Sequence, residues 1–239
     1  MKNLPQELVT NVAKVFPDAI FYQQTTERIV ALTIDDAPCP LDRDDCGTRA
    51  ILTAIAKHNQ KYCHLEPVRA TFFIISSHLA PDSSIITDIM ADGHEIANHG
   101  VIDETHALLS LQQFTQQLHQ AHEKLLEYTG GREIHWYRPG RGFYNQNMLE
   151  AIANLTSNQK YDLKLVLASM IPFDTFDLTN HPWLTTMYVR QMIFPGAILV
   201  FHANSPKVAH NTAIALVNIL ENLRQRGYRI VTLSDLLSS

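Results

Sequence analysis

Two adjacent carboxylates, Asp35-Asp36, end the apolar run Arg28-Ile-Val-Ala-Leu-Thr-Ile34 and are followed at once by Ala37-Pro38. A buried, unpaired carboxylate is costly, and two side by side repel each other. The pair therefore requires a cation near that strand end. Other residues able to do chemistry close other short apolar stretches. His99 is followed by Asp103, Glu104 and His106; Arg138-Pro139-Gly140 ends a second stretch; Ser169 leads to Asp174; and His202 ends a last one. Side chains alternate along a strand, so Asp35 and Asp36 are expected to point to different places. One can then hold an ion while the other acts as a base. Together with one aspartate, His99 and Asp103 supply three N/O donors. Three protein donors and an open position describe a catalytic divalent site, with zinc favoured. Such an ion polarises a carbonyl and lowers the pKa of bound water towards ~7. A second carboxylate can take the proton, and a His across the site can protonate a leaving group. That chemistry is metal-assisted hydrolysis of an amide or ester. His106 competes with Asp103 as third ligand. Reaching it takes three further residues that fold back, so Asp103 is favoured and His106 is expected to face solvent.

These residues are useful only if the fold brings them to one rim. Apolar runs at 28–34, 69–76, 94–99, 135–139, 163–171, 196–202 and 228–237 read as strands, the last turning helical. Amphipathic stretches at 49–59, 82–93, 110–131, 145–155, 183–193 and 212–227 read as helices between them. Several strands are continuously apolar, which marks a parallel sheet covered on both faces. Alternation of β and α gives an α/β architecture. About seven units suggest an imperfectly closed barrel, with an open doubly wound sheet as the alternative. In either, the site lies beyond the carboxyl ends of the strands. A lone strand-end His is usually a hydrogen-bonded core residue, and a lone Arg or Asp usually caps or solvates. Five strands delivering Asp, Asp, His, Arg, Asp and His to one rim are hard to reconcile with that bland reading.

The chain has 239 residues, a formal net charge of −5, 46% hydrophobic and 18% charged residues. This is a globular composition with ample apolar mass. The mild acidity and the lack of a Lys/Arg cluster argue against a nucleic-acid partner. No apolar stretch approaches the ~20 residues of a membrane span, and the N-terminus lacks the apolar core of a signal peptide. With Met1 as the native start, the expected location is the cytoplasm. Cys39, Cys46 and Cys63 are too few for a disulfide framework and read as reduced thiols. His119, His122 and Glu123 lack the spacing of a helical zinc motif and read as a solvated face. Gly140-Arg-Gly142 reads as a turn. Trp136, Phe143 and Tyr144 either stack on a sugar ring or fill core and loop, with neither favoured. Trp183 reads as packing.

Thr33-Ile-Asp-Asp-Ala-Pro38 resembles the T-F-D-D-G-P motif of the polysaccharide deacetylases, carbohydrate esterase family 4. Asn98-His99 with Asp103 resembles the metal motif, in a branch that reads N-H-x-x-x-D-E instead of H-x-x-x-H. Arg138-Pro139-Gly140 is similar to the family's arginine motif, Leu199-Val-Phe-His202 to its C-terminal L-x-H motif, and Asp174 stands where the family has another aspartate. Ala37 replaces a glycine, and Phe201 and Ala203 are unusual neighbours for the histidine. The resemblance runs from about Arg28 to the C-terminus. It implies a deformed (β/α) barrel with about seven parallel strands, one domain over 1–239 with 1–27 packed on it as an extension. It further implies metal-assisted removal of acetyl groups from N-acetylated sugars. By the same resemblance Asp35 is the base, Asp36, His99 and Asp103 hold the ion, and His202 is the acid. Arg138 positions the base and Asp174 tunes His202. Separately from the resemblance, Pro139, Tyr144 and Trp136 are the candidate substrate contacts. A carboxylate ligand suits zinc and also manganese or cobalt. The rivals are a hydrolase of a small non-sugar amide on the same scaffold and a catalytically silent carbohydrate-binding module.

Overall fold

The computed structural model describes residues 4–40, 44–157, 161–170, 174–175 and 180–238. Seven strands alternate with helices: β1 Ile29–Ala37, α2 Cys46–Lys61, β2 Ala70–Ile74, α3 Ile85–Ala91, β3 Glu95–Asn98, α4 Leu111–Tyr128, β4 Trp136–Tyr137, α5 Gln146–Ser157, β5 Lys164–Leu165, α6 Pro182–Met192, β6 Ile198–His202, α7 Pro206–Gln225, β7 Arg229–Val231 and α8 Leu233–Leu237, all after an N-terminal α1, Leu4–Val15. Every strand pairing is parallel, in the order β5-β4-β3-β2-β1-β6, with β7 also on β1. The sheet curls, and a bridge between Met170 and Leu199 brings the chain after β5 back to β6.

β1 is buried along its whole length because both faces are covered. Val30, Leu32 and Ile34 face the helices in one apolar cluster, while Ile29 and Ala31 face inward with Phe73, Ala97, Trp136, Val166 and Ile198 in another. The period-2 alternation of a strand then fixes what stands above this inner layer. Thr33 and Asp35 continue the inward face of β1, Arg138 stands two residues above Trp136, and Val200 and His202 stand above Ile198. The inner floor is apolar and the rim polar because the same alternation runs up every strand.

The strand order closes around a seam filled by the N-terminal segment. Ile20 bridges Val166 on one side and Tyr22 bridges Ala197 on the other. α1 itself buries none of its residues. The expected strand at 163–171 is ordered pairing only at Lys164–Leu165, with further bridges at Val166 and Met170; its last residue lies outside the described residues. Trp183, read as packing, is 63% exposed at the start of α6, and His122, read as solvated, is on the buried face of α4. Among the described residues no helix is long and apolar enough to cross a membrane.

Candidate active site

The carboxyl ends of the strands open into a cavity of about 430 Å³ whose wall includes Asp35, Asp36, His99, Arg138 and His202. The cation demanded by the carboxylate pair is Arg138. Its Nη1 donates to Asp35 Oδ1 at 2.6 Å and to Thr33 Oγ1 at 2.7 Å, its Nη2 donates to the Leu167 carbonyl at 3.0 Å, and its Cζ lies 4.1 Å above the Phe73 ring. Thr33 Oγ1 in turn donates a hydrogen bond to the Leu199 carbonyl of β6 at 2.8 Å. Burial lowers the guanidinium's pKa, and Asp35 works against that fall. A buried pair of this kind is worth little against an apolar substitute, yet removing one member costs about 3–5 kcal/mol.

Asp35 and Asp36 do not diverge as strict alternation predicts. Ile34 registers with Phe72 and Ala37 with Ile74, so two residues of β1 oppose one of β2. At this bulge Asp36 takes φ 63°, a left-handed conformation that Asp tolerates better than most residues. The bulge re-aims Asp36 so that both carboxylates meet His99. His99 Nε2 lies 3.2 Å from Asp36 Oδ1 and 3.8 Å from Asp35 Oδ2, while its Nδ1 donates to the Arg138 carbonyl at 2.8 Å. Burial disfavours the His99 proton, but Asp35, Asp36 and the carbonyl outweigh it and raise its pKa. Burial likewise pushes Asp36 up, and the hydrogen bond and charge of His99, backed by His202 and His78, bring it below its ordinary value.

On the neighbouring strand β6, His202 registers with Asp35. Its Nδ1 donates to Asp174 Oδ1 at 2.9 Å, and its backbone N–H donates to Asp174 Oδ2 at 3.0 Å. Burial opposes the imidazolium, but Asp174 first, then Asp35 and Asp36, push its pKa up to about 9.

The expected meeting of Asp36, His99 and Asp103 is only partly present. Asp103 lies in the wall of the same cavity, but its Oδ2 accepts from Arg141 Nη2 at 2.8 Å. Among the described residues no three His, Cys, Asp or Glu side chains are gathered closely enough to hold an ion as they stand. The donor set nevertheless fits a divalent cation. With its Nδ1–H tied to a carbonyl, His99 directs Nε2 at two carboxylates and would offer a lone pair there once that nitrogen gave up its proton to an ion, and a third carboxylate stands in the same wall. His106 is not in the cavity wall and does not face solvent. It is 2% exposed, and both ring nitrogens are engaged by Tyr137, Gly140 and Ile102.

Pro139 lines the cavity, whereas Trp136 and Tyr144 do not. Trp136 shares the inward face of Arg138 but sits one pleat lower, where its Nε1 donates to Glu95 and to Ser234 of α8. Tyr144 has turned away past Gly142 and packs edge-on against Phe16. Wall residues that the sequence did not single out include Phe21, Leu167, Val200 and Asn204. Val200 was readable as two residues below His202; Phe21 was not, because its place depends on the unclosed seam.

Fold, curled sheet and rim residues together define a carbohydrate esterase-like barrel. The family model for polysaccharide deacetylase matches residues 22–159, and the chain belongs to that family. The chitooligosaccharide deacetylase of Rhizobium leguminosarum bv. phaseoli is 29% identical, over 87% of this chain and 86% of that one. The family 4 acetyl xylan esterase of Clostridium thermocellum, solved with a cobalt ion, is 26% identical with a TM-score of 0.72, covering 88% of this chain and 90% of that one. A family 4 pseudoenzyme from Bacillus anthracis shares the fold at 21% identity and a TM-score of 0.75, over 92% of this chain and 69% of that one.

Proposed function

We propose that this protein is a metal-dependent deacetylase that hydrolyses N-acetyl groups on a glycan or oligosaccharide. The observation that carries the reading is that two oriented proton carriers, Asp35 held by Arg138 and His202 held by Asp174, line one cavity with the Asp36–His99 pair. Relatives named as chitooligosaccharide and peptidoglycan deacetylases support the substrate class.

Asp36, His99 and Asp103 would hold the ion, zinc being the proposed metal with cobalt or manganese as alternatives. When bound, the ion supplies a Lewis acid for the acetyl carbonyl and acidifies its water. Asp35 takes the proton of the attacking water at Oδ2, since Oδ1 is occupied by Arg138. Arg138 fixes that carboxylate in direction. His202 gives the Nε2 proton to the departing sugar nitrogen as the C–N bond breaks, leaving acetate and a free amine. Its Nδ1–H remains on Asp174, which holds the ring in the orientation that presents Nε2. Pro139 forms part of the substrate wall. The same reading treats 1–239 as one domain with 1–27 as its extension, supported by the bridges of Ile20 and Tyr22 and by Phe21 in the cavity wall.

A second reading, hydrolysis of a small non-sugar amide, is favoured by the apolar Phe21, Phe143, Leu167 and Val200 in that wall. The test is acetate release from N-acetylglucosamine oligosaccharides, peptidoglycan fragments and acetanilides, with the protein stripped of metal and reloaded. Metal-dependent release from the glycans alone is the expected result. Release from the anilides alone selects the second reading, and release from none rejects both.

A further inference from the structure

His106 sits outside the barrel interior, between the wall and α4, with its ring beside Tyr137 and Phe114. Its protonation state follows from its partners. The Gly140 N–H, which can only donate, points at Nδ1 from 3.0 Å, so Nδ1 carries a lone pair. Tyr137 Oη therefore also donates to Nδ1, at 2.7 Å. Nε2 then carries the proton and faces the Ile102 carbonyl at 3.3 Å. One neutral tautomer satisfies all three contacts. Burial, with the charge of His99, pushes the imidazole down to about 4 and keeps it neutral.

The ring is wedged between two glycines. A Cβ on Gly100, at φ +89°, would lie 2.6 Å from His106 Cε1. A Cβ on Gly140 would lie 2.1 Å from the Glu104 carbonyl oxygen and 3.4 Å from His106 Cε1. The loop that carries Asp103 thus rests directly on the turn that carries Arg138, Pro139 and Arg141. His106 is bonded to both: to Ile102 in its own loop and to Tyr137 and Gly140 in the other.

We propose that His106 is a positioning residue that registers the Asp103 loop against the Arg138-Pro139-Gly140 turn and thereby sets the site's affinity for its divalent ion. The metal half of this inference rests on the reading of Asp103 as a ligand. Partners of this kind around a metal site are typically worth about ten- to a hundredfold in affinity. Asn places an acceptor near the position of Nδ1, whereas Phe fills the space with none.

The test is the zinc dissociation constant, measured by competition with a chromophoric chelator, in the parent, His106→Phe, His106→Asn, Tyr137→Phe and Asp103→Ala, with thermal unfolding of each. The expected result is a rise of about tenfold or more in His106→Phe, recovery to within a few-fold of the parent in His106→Asn, and a smaller rise in Tyr137→Phe. Tyr137→Phe keeps its ring and the packing, so it decides the matter if His106→Phe does not fold. A parent-like constant in every folded variant of His106 and Tyr137 overturns the inference, as does a His106→Asn as weak as His106→Phe. Weak binding in Asp103→Ala with a normal His106→Phe rejects the inference alone. Normal binding in Asp103→Ala with a weakened His106→Phe rejects the ligand reading and leaves His106 as a positioning residue for the remaining donors.

Discussion

Replacing Asp174 by Asn removes one negative charge and little else, and its effect can be worked out from two contacts. Asp174 accepts from both the backbone N–H and the Nδ1–H of His202. An amide offers one oxygen and one NH₂. If the oxygen keeps the backbone bond, the NH₂ faces Nδ1 and selects the tautomer with a lone pair there. The displacement of His202 from 6.5 to about 9 corresponds to roughly 3 kcal/mol of preference for the imidazolium. Asp174 is the largest of the influences that favour the proton, and burial remains when it is gone. The variant's imidazole is therefore expected to titrate near or below 6.5. At pH 8 a group titrating at about 9 is mostly protonated, and one at 6.5 is about one-thirtieth protonated, so kcat/KM at that pH should fall about thirtyfold from this effect alone. Below pH 6 the gap should narrow. The stability consequence has the same sign. A raised folded-state pKa contributes stability that is present below about 6.5 and lost as pH rises through about 9, so the parent should lose stability over that window and the variant should not. The assay is an NMR titration of the His202 ring in the metal-free protein, paired with the pH profile of kcat/KM. A variant His202 that still titrates well above 8, or an alkaline limb that does not move, would refute the reasoning.

Asp36→Ala should lose the divalent ion on dialysis, whereas Asp35→Asn should retain it, as checked by elemental analysis, because Asp36 is the carboxylate closer to His99 Nε2. His202→Ala should cripple hydrolysis of amides, whose amine needs a proton, and act much less on an activated aryl ester; comparing kcat on the two substrates checks it. Thr33→Val deletes a hydroxyl that accepts from Arg138 and donates to the Leu199 carbonyl. Two buried groups lose a partner, so a destabilisation of about 1–3 kcal/mol is expected, read as a lower Tm of roughly 2–4 °C per kcal/mol.

The parts of this site that follow from period-2 alternation and apolar runs were legible. β1 announced itself as a strand buried on both faces, and Asp35, His99, Arg138 and His202 stand at strand ends as their positions in those runs imply. The parts that depend on a break in regularity were not. The bulge at Asp36 defeats alternation, and nothing in Ile34-Asp-Asp-Ala37 signals that two residues will oppose one. Trp136 was placed at the site by proximity to Arg138 in sequence, though the same alternation puts it one layer down, against Glu95 and Ser234. His106 was assigned to solvent because its three partners include Tyr137 and Gly140, more than thirty residues away, and no local pattern reports a contact of that range. Arg141, read as part of a plain glycine turn, reaches Asp103 across two loops for the same reason. Phe21 enters the cavity wall only because β5 and β6 leave a seam for residues 20–22 to fill.

The most direct test of the central claim is acetate release from N-acetylglucosamine oligosaccharides by zinc-loaded parent and zinc-loaded Asp35→Asn at equal metal content. Asp35, held by Arg138, is the proposed base, and the parent should release one acetate for each amine formed. The variant should be slower by a factor on the order of 10² or more, the usual worth of a general base. A parent that releases no acetate, or a variant that keeps the parent's rate, would contradict the account.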